Sequence, residues 1–266
     1  MLLQIVAGVL AAMLFVMIAA WAFGLAVKNG GWTDVFWSFG TGFLLAGAAL
    51  LSAATDASPA RRILVGAFML VWGLRLGLYL APRVAGHPED PRYAHFRGAA
   101  KNYPLTMLWI SLPQAPASAL LALSVVAAAL RPQPALDLRD GLAALVFVAA
   151  VVGEAAADAQ MKRFRGDRAN RGQVMERGLW AWSRHPNYFF QWLGWMAYPV
   201  MALDPARPVS FLTLVAPAAM YGLLRYVSGV PPLEEAMLRS RGDKFRAYQQ
   251  RVSVFVPLPS KRAQPA

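Results

Sequence analysis

The 266-residue chain contains no cysteine, which excludes disulfides and thiolate metal sites. Histidine is almost absent too. His87, His95 and His185 are the only three, no HxxxH spacing occurs, and no metal centre is expected. Charged residues make up 15% of the chain, against about 25% in a typical soluble domain. Acidic residues are the scarcest, 14 against 26 Lys and Arg. A Gly-x-Gly-x-x-Gly loop is missing, so a Rossmann-type phosphate cradle is excluded. The net charge of +12 does not indicate nucleic acid in so apolar a chain. Membrane proteins gather Lys and Arg in cytoplasmic loops, where these residues also meet anionic lipid.

What the chain has in quantity is apolar sequence, 58% of all residues. Crossing a hydrocarbon core of about 30 Å takes about 20 helical residues. Seven stretches qualify: 2–27, 36–54, 62–83, 104–130, 140–160, 186–203 and 208–228. The first follows Met-Leu-Leu-Gln with no basic n-region, and reads as an uncleaved span. The expected fold is an all-α integral membrane bundle of seven transmembrane helices with a cytoplasmic C-terminal helix. Residues 1–258 form one domain, with a cofactor half at 150–258 and a loose tail at 259–266.

The basic residues set the orientation. With the C-terminus inside, nineteen Lys and Arg fall in cytoplasmic segments and five in outside loops, while Arg75 and Arg225 lie within spans. The N-terminus is then outside. Ala- and Arg-rich usage suits a bacterial inner membrane. The inside segment 161–177 carries six basic residues, and arginine forks match phosphate oxygens bidentately. Beyond Pro231-Pro232 the chain turns water-soluble. Leu233 to Arg251 reads as one helix, with Glu234 and Glu235 in its first turn and Leu238, Phe245 and Tyr248 as an apolar stripe.

The densest chemistry lies at Gly178-Leu-Trp-Ala-Trp-Ser-Arg-His-Pro-Asn-Tyr-Phe-Phe-Gln191. Ser183 is a plausible N-cap and Pro186 a plausible first-turn residue of the following span. That accounts for helix initiation but not for Arg184, Asn187 and Gln191. Asn187 and Gln191 share a helix face, and amides facing lipid are unfavourable, so a ligand or a neighbouring helix is expected there. In the preceding span Glu154 and Asp158 share a face that Lys162 continues, with Arg165 a turn on. Acidic groups inside an apolar helix usually face a cavity or a partner.

These motifs resemble the steroid 5-alpha-reductase family in its bacterial branch, to which the sterol reductases and isoprenylcysteine carboxyl methyltransferases are related. The resemblance rests on Glu154-x3-Asp158-x3-Lys162-x2-Arg165, on Gly178-Leu-x4-Arg-His-Pro-Asn-Tyr-x2-Gln191, and on Glu234-Glu235 followed by Asp243-Lys-Phe-x2-Tyr248-x2-Arg251. It implies NADPH held at the cytoplasmic ends of the later spans. By that resemblance Asp158 and Asn187 bind the nicotinamide–ribose part, and Arg165 with Lys162 and Arg171 binds phosphates. Gln191 stands where the steroid enzymes carry Glu, and Arg225 and Glu234 line the pocket. Glu154, Arg184, His185, Tyr188 and Glu235 complete the expected cofactor surface.

Hydride transfer to an enone leaves negative charge on the carbonyl oxygen, which a donor must meet. The steroid enzymes use a Gln-Glu pair on span two and a Tyr on span three. Here the matching stretch is Trp32-Thr-Asp34-Val-Phe-Trp37, without that pair, and span three offers Trp72-Gly-Leu-Arg75-Leu-Gly-Leu-Tyr79. Asp34, Arg75 and Tyr79 are therefore the catalytic candidates, with Asp34 as N-cap of span two the alternative. Glu89-Asp90-x-Arg92-Tyr93 is either an ordered lid or a solvated loop, and His87 and His95 read as surface residues.

The expected activity is NADPH-dependent reduction of a lipophilic enone, steroid-like or a related lipid. The alternative is an S-adenosylmethionine-dependent methyltransferase acting on a prenylated or lipid acceptor. A third reading, a lipid-binding protein without enzymatic activity, leaves Asp158, Asn187 and Gln191 unexplained.

Overall fold

The computed structural model describes residues 1–52, 57–89, 93, 97–98 and 100–261, and no strand occurs among them. The helices are α1 (Leu2–Ala26), α2 (Trp32–Leu51), α3 (Pro59–Ala85), α4 (Tyr103–Ser111), α5 (Gln114–Ala129), α6 (Leu138–Gly166), α7 (Pro186–Trp195), α8 (Ala197–Ala202), α9 (Val215–Gly222), α10 (Val230–Arg241) and α11 (Asp243–Arg251). Among the described residues, six helical runs are long and apolar enough to cross a membrane: α1, α2, α3, α4 with α5, α6, and Pro208–Arg241. The stretch 186–203 is not among them. It forms α7 and α8, of 10 and 6 residues, with Met196 as the C-cap between them.

Large apolar side chains such as Leu3, Phe15, Leu51 and Leu78 are exposed along the outer faces of α1 to α3. An apolar surface of that extent is stable only against lipid or a partner. The protein is thus a helical integral membrane protein.

The chain divides into two compact units. The first holds Met1–Asp140 and Met201–Ala216, the second Gly141–Val200 and Pro217–Ala266.

In the first unit α2 and α3 meet backbone to backbone. A Cβ on Gly42 would sit 2.7 Å from the Gly73 Cα, and the reverse distance is 2.6 Å. Lipid gives apolar side chains no reason to pair, so close approach through small residues supplies the packing. At Gly77 the missing side chain makes room for the Phe39 ring.

One end of this unit is fastened by a buried ion pair that the sequence does not announce. Arg61, in the first turn of α3, is fully buried. Its Nε donates to Asp140 Oδ1 at 2.7 Å and its Nη2 to Asp140 Oδ2 at 2.8 Å. The remaining N–H groups reach the carbonyls of Arg131, Gln133 and Ala135, at 3.1, 2.8 and 2.8 Å. Arg131 bonds Asp137, which holds that carboxyl down at about 2. One guanidinium thus organises the whole 131–137 turn.

In the second unit α6 runs 29 residues, about 43 Å at 1.5 Å each, so it overshoots the hydrocarbon core. A hydrogen bond from Asn170 Nδ2 to the Phe164 carbonyl at 3.0 Å caps its C-terminal end. α7 packs on α6 through Gly153, where a Cβ would lie 2.4 Å from the Phe190 ring, and through Gly194 against Ala150. These pairs fix an antiparallel register that sets Asn187 level with Asp158 and Gln191 level with Glu154.

The C-terminal region departs from the expected single helix. Gly242, with φ +50°, splits it into α10 and α11. Glu234 and Glu235 lie beyond the first turn of α10, because the helix already starts at Val230 with Pro231 and Pro232 in that turn. The predicted apolar stripe holds: Phe245, Tyr248 and Val252 form a small core, against which Leu238 packs. Of the expected tail, 262–266 lies outside the described residues, while Lys261 N–H still bonds the Arg251 carbonyl at 2.9 Å.

Candidate functional site

The Trp-Ser-Arg-His-Pro-Asn motif is held rigidly within the second unit. Gly178 takes φ +60°, a conformation suited to glycine, and its absent side chain leaves room for Gln160. Gln160 Oε1 then accepts the Leu179 N–H at 3.0 Å, and the Trp180 indole donates to the Ala157 carbonyl at 3.0 Å. From the other side, the buried Tyr248 hydroxyl donates to the Trp180 carbonyl at 2.6 Å. Burial pushes that phenol up, so it remains a donor. The segment after α11 completes the frame: Arg184 N–H bonds the Ser253 carbonyl at 2.8 Å and Ser183 Oγ donates to the Phe255 carbonyl at 2.8 Å.

Ser183 is not the N-cap of α7. His185 occupies that position, and Ser183 Oγ accepts the His185 N–H at 3.1 Å. Pro186 stands in the first turn as expected, where its missing N–H costs nothing.

Arg184, His185 and Glu234 come together, and they bond chiefly to one another. Glu234 accepts from Arg184 Nε at 2.7 Å, from Gln249 Nε2 at 2.7 Å, and lies 3.1 Å from His185 Nε2. Arg184 Nη1 also reaches the Gln249 and Val252 carbonyls, at 3.0 and 2.7 Å. Burial pulls the His185 imidazole below its ordinary value; the hydrogen bond and charge of Glu234 oppose this, while the charges of Arg184 and Arg225 reinforce it. Its ring stacks on Tyr188 with centroids 5.5 Å apart. This cluster ties the motif to α10 and α11.

The second group lies on the α6–α7 face. Glu154, Asp158 and Gln191 are each 7% exposed, and Asn187 is half-buried. Asn187 Nδ2 donates to Asp158 Oδ1 at 3.4 Å. Gln191 Oε1 is buried and accepts no hydrogen bond among the described residues. Such an orphaned acceptor costs about 1–3 kcal/mol, which makes it a place where a donor from a ligand is worth most.

The basic side chains on the last turns of α6 and in the loop beyond it are exposed. Lys162 and Arg171 make no side-chain hydrogen bond or ion pair among the described residues; Arg165 is exposed alongside them. Arg225 is half-buried on a π-helical turn, Leu223–Val227, and its guanidinium lies 4.9 Å from the Tyr226 ring centroid. A π-turn inside a helix is a frequent mark of functional sites. Glu235 stands apart from the others: it is exposed and pairs with Arg239 on its own helix.

The catalytic candidates lie in the first unit. Asp34 is in the first turn of α2 but does not cap it; Gly31 does. Its Oδ1 accepts from the hydroxyl of Tyr93, a buried residue, at 3.0 Å. Arg75 and Arg83 both lie over the Tyr79 ring, 5.3 and 5.0 Å from its centroid. Glu89 is no solvated loop residue: it accepts from the Gly30 N–H at 2.7 Å, from Arg97 at 2.8 Å and from Tyr103 at 2.8 Å. Burial alone would raise its carboxyl, but these hydrogen bonds outweigh it and hold the group low. His87 is exposed, as expected; Asp90, Arg92 and His95 lie outside the described residues. Tyr93, Gln249, Gln160 and Tyr248 are the partners that sequence reasoning did not pair with the motif residues.

Fold and site together define a helical membrane protein with a buried carboxylate–amide ladder and an exposed basic arm. Residues 20–252 match the family DUF1295, described as proteins of unknown function, and the chain belongs to that family. No curated protein and no solved structure matches it.

Proposed function

We propose that this protein is a membrane-embedded NADPH-dependent reductase that saturates the carbon–carbon double bond of a lipophilic enone, steroid-like or a related lipid. The observation that carries the reading is the α6–α7 ladder: Asp158 bonded to Asn187, with Gln191 Oε1 buried and without a donor among the described residues. A carboxamide such as that of nicotinamide offers the missing N–H. Lys162 and Arg171 are exposed and make no side-chain hydrogen bond or ion pair among the described residues, which suits a ligand with several phosphates. The resemblance of the three motifs to the steroid 5-alpha-reductases supports the same reading, as does a family that includes proteins of that kind.

In this reading Asp158, Asn187 and Gln191 hold the nicotinamide end, and Lys162, Arg165, Arg171 and Arg225 hold the phosphates. NADPH, when bound, supplies the hydride. Arg184, His185 and Glu234 position the motif by bonding to one another. Asp34 with Tyr93, and Tyr79 between Arg75 and Arg83, are the protein groups that would polarise a carbonyl oxygen. The C-terminus is cytoplasmic and the N-terminus outside, as the distribution of basic residues favours, and the membrane is the bacterial inner membrane.

The test is a fluorescence titration of the purified protein with NADPH, NADH and S-adenosylmethionine, beside Asn187→Ala, Gln191→Leu and Arg171→Ala. NADPH binding weakened about tenfold in each variant is the expected result. Binding of S-adenosylmethionine alone would overturn the reductase reading in favour of methyl transfer.

A further inference from the structure

The first unit contains a second orphaned acceptor, and it has no part in the reading above. Gln114 opens α5, directly after Leu112 and Pro113, which keep right-handed helical backbone angles. The helical face therefore runs on from Ser111 through Gln114 to Ser118, at spacings of three and four. That face meets α2 along a polar seam. Thr33 and Ser111 pair at 3.4 Å, the Trp37 indole donates to Ser118 Oγ at 2.9 Å, and Thr41 and Ser118 pair at 2.8 Å. Thr33, Thr41, Ser111 and Ser118 are all buried.

The serine hydroxyls of this seam are already committed. The Ser111 hydroxyl donates to the Met107 carbonyl at 2.8 Å, and the Ser118 hydroxyl to the Gln114 carbonyl at 3.0 Å. Each has a single proton, so Thr33 and Thr41 must supply theirs to Ser111 and Ser118. Among the described residues Gln114 Oε1 is buried without a hydrogen bond. An amide oxygen left bare among apolar helices is expensive, and Leu or Met at this place would avoid the penalty. Among the described residues the seam thus lacks one donor.

We infer that Gln114 and the adjoining seam between α2 and α4–α5 form a binding notch for the hydroxyl group of a lipophilic alcohol. A hydroxyl brings the missing proton and keeps an apolar body for the surrounding side chains. The rungs Thr33–Ser111 and Trp37–Ser118 flank Gln114 along the helix.

The experiment uses the full-length protein in detergent without any nucleotide, so it stands apart from the NADPH titration. Two alcohols, cholesterol and farnesol, are compared with their methyl ethers, which keep the oxygen and the apolar body but lose the proton. Dissociation constants are read by tryptophan fluorescence. The wild type is expected to bind at least one alcohol about fivefold more tightly than its ether. Gln114→Leu should abolish that preference, leave affinity for the ether unchanged, and fold normally. Gln114→Met, unbranched and of similar length, gives the same readout should Leu fail to pack. Equal binding of alcohol and ether by the wild type, binding of neither alcohol, or a preference that survives in both variants would overturn the inference, leaving a water as the donor to Gln114.

Discussion

The sharpest energetic expectation concerns Asp140→Asn. Arg61 is 0% exposed and Asp140 2%, so neither charge is shared with water. The substitution keeps the size of the side chain and removes its charge. The Arg61 cation would then be left with the carbonyls of Arg131, Gln133 and Ala135 and an amide whose N–H end competes with its own donors. Breaking a buried pair from one side typically costs about 3–5 kcal/mol, because an uncompensated charge stays behind. The Asp137 N–H bond to Asp140 Oδ2, at 2.9 Å, is placed at risk as well.

The assay is unfolding in mixed micelles with increasing SDS, followed by tryptophan fluorescence. Asp140→Asn should lower stability by about 3–5 kcal/mol. The double variant Arg61→Met with Asp140→Leu should cost no more than the single one, since it removes both charges of the pair while Arg131, 3.7 Å from Asp140, keeps Asp137. The exposed Glu235–Arg239 pair serves as the contrast, and its removal should leave the transition in place. A value for Asp140→Asn within about 1 kcal/mol of the wild type would show that the pair behaves as an exposed one and would refute the reasoning.

Two further outcomes follow from the second unit. His185 is held below its ordinary value, so the unfolded chain takes up a proton before the folded one does. Its contribution is therefore fully present above about pH 6.5 and lost as pH falls below that value. The unfolding midpoint should decline between pH 7.5 and 5.5, and His185→Gln should flatten that decline; an unchanged slope would assign the dependence to other groups. Gly153→Ala places a Cβ 2.4 Å from the Phe190 ring and should cost about 1–3 kcal/mol by overpacking, with no loss expected if α6 and α7 do not meet there.

The spanning helices were largely legible because membrane spans are written locally, in runs of apolar residues. Sequence boundaries of 2–27, 62–83 and 104–130 compare with observed helical limits of Leu2–Ala26, Pro59–Ala85 and Tyr103–Ala129. The stretch 186–203 misled for the same reason. Hydropathy reports what a segment would do in lipid, and it is silent on the break at Met196. The split at Gly242 was also missed, though a glycine followed by Asp is a readable stop signal.

Partnerships were much less legible than positions. The α6–α7 ladder could be anticipated, since Glu154 with Asp158 and Asn187 with Gln191 each repeat at helical spacing. Which rung meets which required Gly153 to receive Phe190, a contact between residues 37 positions apart. Arg61 and Asp140 are separated by 79 positions, and neither has a polar neighbour pattern that marks it for burial. The Arg-His-Pro-Asn motif shows how far this matters for function. The sequence put Arg184 and His185 on the cofactor surface and Ser183 at the N-cap, yet Arg184 and His185 turn to Glu234, and Ser183 to Phe255. The residues left to meet a ligand are those whose hydrogen-bonding capacity the protein does not consume, Gln191 above all. Unsatisfied capacity, not polarity as such, separates the groups that build this site from the groups that use it.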